Sequence, residues 1–200
     1  MRKFVCVCVA VMALTAGAAG AAQSKGSGPS AEEMKKMGIF LSNFTEVGLY
    51  DIDVKEVTPE QLIHFGIWHN YINNKKSTIK RCKDKDCEWG ESTVPAKSVA
   101  ASVRRYFDLK LKHQDAEDPD FKAHYDGSLY HFAAADGGVI YYADVQKVSY
   151  AGDNTLRMTG ELYDLHNKKD RPATFTALAK PHKWNDKNTW AILSLSTEWK

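Results

Sequence analysis

Past residue 22, this 200-residue chain has no apolar run approaching the roughly 20 residues of a membrane helix, which excludes a spanning helix there. It has almost no charge bias, with 27 Lys and Arg against 25 Asp and Glu. A balanced chain has no electrostatic pull toward nucleic acid or an anionic membrane. Cysteine is scarce, four in all, and Cys6 and Cys8 fall within the apolar start. The two that remain are too few for four-coordinate zinc, which usually takes two close pairs. There is no G-x-S-x-G elbow, no glycine-rich phosphate loop after a strand, and no EF-hand pattern. Nor is there a repeat of the length that marks solenoids or propellers.

What is present begins with the leader. Arg2 and Lys3 open a basic start, residues 4–14 are apolar, and residues 16–22 are small, with several A-x-A-like cleavage sites. This order predicts a secretory signal peptide over residues 1–22. Cleavage removes Arg2 and Lys3 and no acid, which leaves 25 basic against 25 acidic residues. The small residues follow Cys6 and Cys8 instead of preceding them, which argues against a lipid-modified cysteine. The product is expected to be secreted or periplasmic and not inserted in the membrane. Residues 23–29 (QSKGSGP) form a flexible linker, and residues 30–200 suit a single domain. In an oxidising compartment Cys82 and Cys87 read as a disulfide. Its loop is short, so it should stabilise by less than the roughly 3 kcal/mol of a 15-residue loop and pin only a local turn.

Three helices are predicted. Ser30-Ala31-Glu32-Glu33 is a capping box, followed at helical spacing by Met34, Met37, Leu41 and Phe44. Thr58-Pro59-Glu60-Gln61 starts the second helix. There Leu62, Ile63, Phe65, Ile67, Trp68, Tyr71 and Ile72 cover most of the circumference, which predicts a sandwiched helix. Val99, Val103, Tyr106 and Phe107 mark the third, after Pro95. Residues 115–120 (DAEDPD) read as an acidic loop. Strand signals then occupy residues 129–135, 139–150, 155–165, 173–179 and 189–199, separated by turns at 136–138, 152–154, 167–170 and 181–188. The apolar set changes parity after Val145, which predicts a bulge there. The fold class is therefore α+β, with about three N-terminal helices packed on a curved antiparallel sheet of four to five strands. A cone-shaped, NTF2-like sheet is one candidate, an analogy of fold that licenses no activity.

Phe40-Leu41-Ser42-Asn43-Phe44-Thr45-Glu46-Val47, the stretch from Phe65 through His69-Asn70-Tyr71 to Asn74, and Ala134-Ala135-Asp136-Gly137 occur here in that order. The order resembles a poorly characterised family of exported bacterial domains, some attached to the envelope or carrying zinc-ribbon segments. The likeness spans most of residues 37–197. It implies bacterial export and carries no catalytic residue. This chain departs from the attached forms in its cleavable leader and its lack of zinc-ribbon cysteines.

Tested for chemistry, most constellations read as structural. His64 and His69, five residues apart on a helix, diverge by about 140° and cannot share an ion. Asp115, Glu117, Asp118 and Asp120 lack the EF-hand spacing. Two cysteines joined to each other supply no nucleophile. No metal and no cofactor is expected. Tyr130, His131, Tyr141, Tyr142 and Asp144 are the candidate ligand-binding residues. If the Asp136–Gly138 turn closes a hairpin, His131 meets Tyr141 or Tyr142 across the ladder. A concave sheet so lined would suit a small polar ligand such as a sugar or peptidoglycan fragment; otherwise these aromatics are ordinary packing with satisfied hydroxyls. The leading expectation is a non-catalytic binding or interaction module of the bacterial envelope, its partner an envelope protein or a small polar ligand. The alternatives are an enzyme pairing His131 with an aspartate such as Asp144, and an inhibitor of an envelope hydrolase presenting the disulfide loop, residues 81–89.

Overall fold

The structure, a computed structural model, describes residues 28–83, 87–118, 121–134 and 139–200. The expected leader and most of the expected linker lie outside the described residues. In chain order the elements are α1 (Ala31–Thr45), β1 (Ile52–Asp53), α2 (Pro59–Asn73), the one-turn α3 (Lys75–Thr78), β2 (Lys80–Arg81), β3 (Ser92–Pro95) and α4 (Ala96–Phe107). Strands then follow: β4 (Ala116–Asp118), β5 (Phe121–Tyr125), β6 (Leu129–Phe132), β7 (Tyr141–Tyr150), β8 (Leu156–Asp164), β9 (Ala173–Trp184) and β10 (Lys187–Trp199). They form two five-stranded antiparallel sheets, ordered β1-β10-β9-β8-β7 and β2-β3-β6-β5-β4.

Local chemistry sets the helix starts. Ser30 Oγ accepts from the Glu33 N–H, and the Glu33 carboxylate accepts from the Ser30 N–H at 2.8 Å. Thr58 and Gln61 exchange the same pair of bonds, with Pro59 in the first turn. α4 ends where Asp108 turns left-handed (φ 57°). The predicted bulge is present: the β7–β8 register shifts between Val145 and Lys147.

Three features of the sheets differ from the sequence reading. First, residues 181–188 are not a loop. β9 and β10 continue to a two-residue turn, Asn185-Asp186, whose φ angles of 48° and 61° match the twist of a tight hairpin. Pro181 lies beyond Ala179, the last β9 residue paired with β8, where a missing N–H breaks no ladder. Second, the acidic segment carries β4, which pairs with β5; residues 119–120 lie outside the described residues. Third, β6 pairs with β3 and β5 in the second sheet, while β7 pairs with β8 in the first. The meander therefore comprises β7 to β10, and residues 135–138 lie outside the described residues.

Helices α2 and α4 pack between the two sheets. On α2, Phe65 meets Phe44 and Phe107 (ring centroids 5.2 and 5.0 Å), while Trp68 meets Phe121 and Phe132 of the second sheet (6.2 and 6.1 Å). α2 is thus sandwiched, as its all-round apolarity requires. α1 takes a different post, along β7, the outer strand of the first sheet. Ala143 N–H donates to Ser42 Oγ at 3.0 Å, and Thr45 Oγ1 donates to the Tyr141 carbonyl at 2.6 Å. A Cβ on Gly38 would sit 2.7 Å from the Ala143 carbonyl oxygen, so only glycine allows this approach. The helix thereby satisfies strand groups that an open edge would leave unpaired.

Gly66 fixes the α2–α4 crossing, since a Cβ there would lie 2.5 Å from Val99 Cγ1 and 2.9 Å from the Val99 carbonyl oxygen. Alanine improves helix propensity by about 1 kcal/mol, but a backbone oxygen cannot move aside cheaply. Gly66→Ala is therefore expected to destabilise the fold, by roughly 1–2 kcal/mol net of overpacking. A urea midpoint unchanged or raised in this variant would show the crossing to be looser than described.

Candidate functional site

The five candidate ligand-binding residues separate into four places. Tyr130 is fully buried in the second sheet, its hydroxyl 3.0 Å from His113 Nδ1, and burial pushes its phenol up to about 12. It is a packed, satisfied core residue. His131 lies on the same sheet, opposite Thr93 and His124, and its carboxylate partner is Asp126, with Nε2 2.9 Å from Oδ2. The expected contact with Tyr141 or Tyr142 is absent because β6 and β7 belong to different sheets. For the same reason His131 does not pair with Asp144, which instead accepts from Arg171 Nη1 at 2.8 Å. Tyr141 turns toward Tyr50 and Trp199 (6.2 and 5.4 Å). Tyr142 and Asp144, two apart on β7, share the other face.

That other face meets α1 in an open groove of about 590 Å³. One wall is Tyr142, Asp144 and Tyr163; the other is the outer side of α1, with Met34, Lys35 and the exposed Ile39. Glu46 and Asn73 close the end. The Tyr142 and Tyr163 rings meet edge to face at 6.1 Å across the β7–β8 pair, and the Arg171 guanidinium lies 5.9 Å from the Tyr163 ring centre. Arg171 also reaches Glu161 (3.5 Å), which Lys200 binds at 2.9 Å. Asn73 Nδ2 donates to Glu46 Oε1. Desolvation still pushes the Glu46 carboxyl above its ordinary range, the amide only partly offsetting it. Burial likewise raises the Tyr142 phenol. The arrangement offers two aromatic edges, a partly desolvated carboxylate and an amide to one small ligand.

Glu46, Asn73 and Tyr163 were not among the residues singled out from sequence. Tyr163 carried a usable signal, since alternation with Leu162 turns it away from the core. Glu46 and Asn73 carried none, being brought together only by the packing of α1 against α2.

His69 and its neighbours serve a different purpose. Tyr106 Oη donates to Asn43 Oδ1 at 3.0 Å and lies 3.3 Å from His69 Nε2, so Nε2 carries the proton. His69 Nδ1 then accepts from Ser102 Oγ (3.0 Å), which accepts from Asn70 Nδ2 (3.0 Å). This one-directional chain ties α1, α2 and α4 together and is consistent with a neutral imidazole. It also accounts for Asn43, His69 and Asn70 as structural residues, buried with their polar groups paired.

Among the described residues, no three His, Cys, Asp or Glu side chains form a group that could hold a metal ion, and no helix is long and apolar enough to cross a membrane. Comparison with known protein families, curated proteins and solved structures finds no match to this chain.

Burial, aided by the Arg105 charge, lowers the His69 imidazole from 6.5 to about 4. The unfolded chain therefore binds a proton first as pH falls. Stability is complete above pH 6.5 and declines as pH drops from there toward 4, by up to about 3 kcal/mol. Urea melts across that window should show the decline in the native chain and a shallower one in His69→Gln. Equal slopes would disprove a neutral buried His69.

Proposed function

We propose that this chain is an exported binding module that holds a small polar ligand, without acting on it chemically, in the groove between α1 and β7. The observation that carries this reading is the convergence of Tyr142, Tyr163, Glu46 and Asn73 on one open groove of about 590 Å³, within the size range of small-molecule sites. Aromatic rings beside a carboxylate and an amide suit a polyhydroxylated ligand, whose C–H faces pack on tyrosine while its hydroxyls donate to Glu46 and accept from Asn73. A sugar or a peptidoglycan fragment has that chemistry. Export is favoured by the predicted leader, and the Cys82–Cys87 disulfide is compatible with an oxidising compartment. The enzyme alternative is weaker in this groove, because His131 lies on a different sheet from Asp144 and pairs with Asp126, and neither His131 nor Asp126 lines the groove.

The test is titration with N-acetylated glucosamine oligosaccharides and soluble peptidoglycan fragments, followed by amide chemical shifts. Shifts should cluster on α1, the first half of β7 and Tyr163. Tyr142→Ala should weaken binding on the order of tenfold, about 1.4 kcal/mol, and Glu46→Gln by a similar factor. Because the Glu46 carboxyl is raised, binding should also fade as pH drops through that range, and Glu46→Gln should remove this dependence. Shifts confined to another surface, or affinity unaltered in both variants, would sink the proposal.

A further inference from the structure

Cys82 and Cys87 are joined as a disulfide, with Cα atoms 6.4 Å apart. The Cys82 N–H donates to the Glu91 carbonyl at 2.8 Å, which fastens this sulfur beside the second sheet. Cys82 Sγ consequently lies 3.7 Å from His131 Nδ1. The other ring nitrogen, Nε2, is 2.9 Å from Asp126 Oδ2. Asp126 is held as a carboxylate: its Oδ1 accepts from the N–H groups of Leu129 (2.7 Å) and Ser128 (2.8 Å) and from Ser128 Oγ (3.1 Å). An ionised carboxylate only accepts, so Nε2 must carry a proton and Nδ1 faces the sulfur as the site for the second. The three groups stand in the order sulfur, imidazole, carboxylate, and the His131 side chain is only 14% exposed.

His124 lies across the strand pair from His131, with ring centres 6.2 Å apart, and its Nδ1 is 3.1 Å from Asp115 Oδ1. Trp89 stacks on His124 at 5.4 Å. Arg81 and Glu91, both exposed, pair at 3.8 Å beside Cys82. Among the described residues, none of these contacts involves His131 Nδ1.

A purely structural disulfide needs no base against one of its sulfurs. We propose that Cys82–Cys87 is an exchange-active disulfide, in which His131, oriented by Asp126, stabilises Cys82 as a thiolate, so that the chain takes electrons from dithiol partners and gives them to disulfide partners. A thiolate of the dithiol attacks Cys87 Sγ; a mixed disulfide forms, the Cys82–Cys87 bond breaks, and its electron pair leaves on Cys82 Sγ beside the imidazolium. The second thiol of the partner then attacks the mixed disulfide, which releases Cys87 and closes the partner's own disulfide. Two electrons have passed, and the two thiol protons reside on Cys87 and on the Cys82–His131 pair. Run backwards, Cys87 attacks the partner's disulfide, and the Cys82 thiolate is the resolving group that re-forms the Cys82–Cys87 bond and expels the partner. A leaving thiol that is stabilised as its anion departs faster, and a neighbouring imidazolium stabilises that anion.

Alkylation by iodoacetamide at neutral pH tests this on the full chain carrying Cys87→Ser together with Cys6→Ser and Cys8→Ser, which isolates Cys82. Cys82 should react at least about tenfold faster in that protein than in the same protein with His131→Asn added, with Asp126→Asn between the two. The native disulfide should be reduced by dithiothreitol several-fold faster than the disulfide of His131→Asn. Circular dichroism checks that each variant is folded, and alkylation of the urea-denatured Cys87→Ser chain provides a comparison independent of any His131 variant. Native Cys82 reacting no faster than denatured Cys82, or at the same rate with and without His131, would overturn the proposal.

Discussion

Between Gln61 and Tyr71, helix α2 has no exposed residue, and much of the molecule follows from that confinement. Apolar side chains on opposite sides of the helix must each find a partner, so Phe65 enters the cluster of Phe44, Tyr106 and Phe107 while Trp68 enters that of Phe121 and Phe132. The polar residues of the same helix cannot escape to water. Asn70 therefore bonds to the Gly66 and Ser98 carbonyls as well as to Ser102, and His69 is held neutral between Ser102 and Tyr106. A buried donor left unpaired costs about 1–3 kcal/mol, which explains why these polar positions form a connected chain and not scattered contacts.

The groove has its origin in how the first sheet ends. β7 is an outer strand, and its inner half would expose unpaired backbone groups if α1 did not cover it. Ser42, Thr45 and Gly38 make that cover close enough to bond. The alternation of strand side chains then divides neighbours: Tyr141 and Ala143 turn inward, while Tyr142 and Asp144 turn toward the outer face of the helix. The groove thus arises where a helix laid on a strand edge meets the sheet's polar face. Ile39, 59% exposed on α1, is the apolar rim such an arrangement leaves uncovered.

The second sheet places the molecule's other chemistry. Its β5–β6 turn folds Asp126 back on His131, and β2 and β3 deliver Cys82 to the same imidazole. None of the three is reactive by residue type alone; proximity distinguishes them. The groove and the sulfur–imidazole–carboxylate line share no residue, so the two proposals stand or fall separately.

The sequence alone determined what local rules govern. The α1 capping box, the α2 N-cap, the three long helices, the β7 bulge, the strands β7 to β10 and the Cys82–Cys87 bridge follow from short-range hydrogen bonding, periodicity and spacing. Tertiary structure decided the rest. Strands such as Ser92–Pro95 and Ala116–Asp118 are too short and too mixed in polarity to declare themselves, and they exist because distant partners complete their ladders. Whether His131 faced Tyr142 or Cys82 depended on which sheet β6 joined, a choice made by long-range pairing that no local pattern encodes. Glu46 and Asn73 became neighbours for the same reason: the ends of two separately capped helices meet only in the tertiary structure.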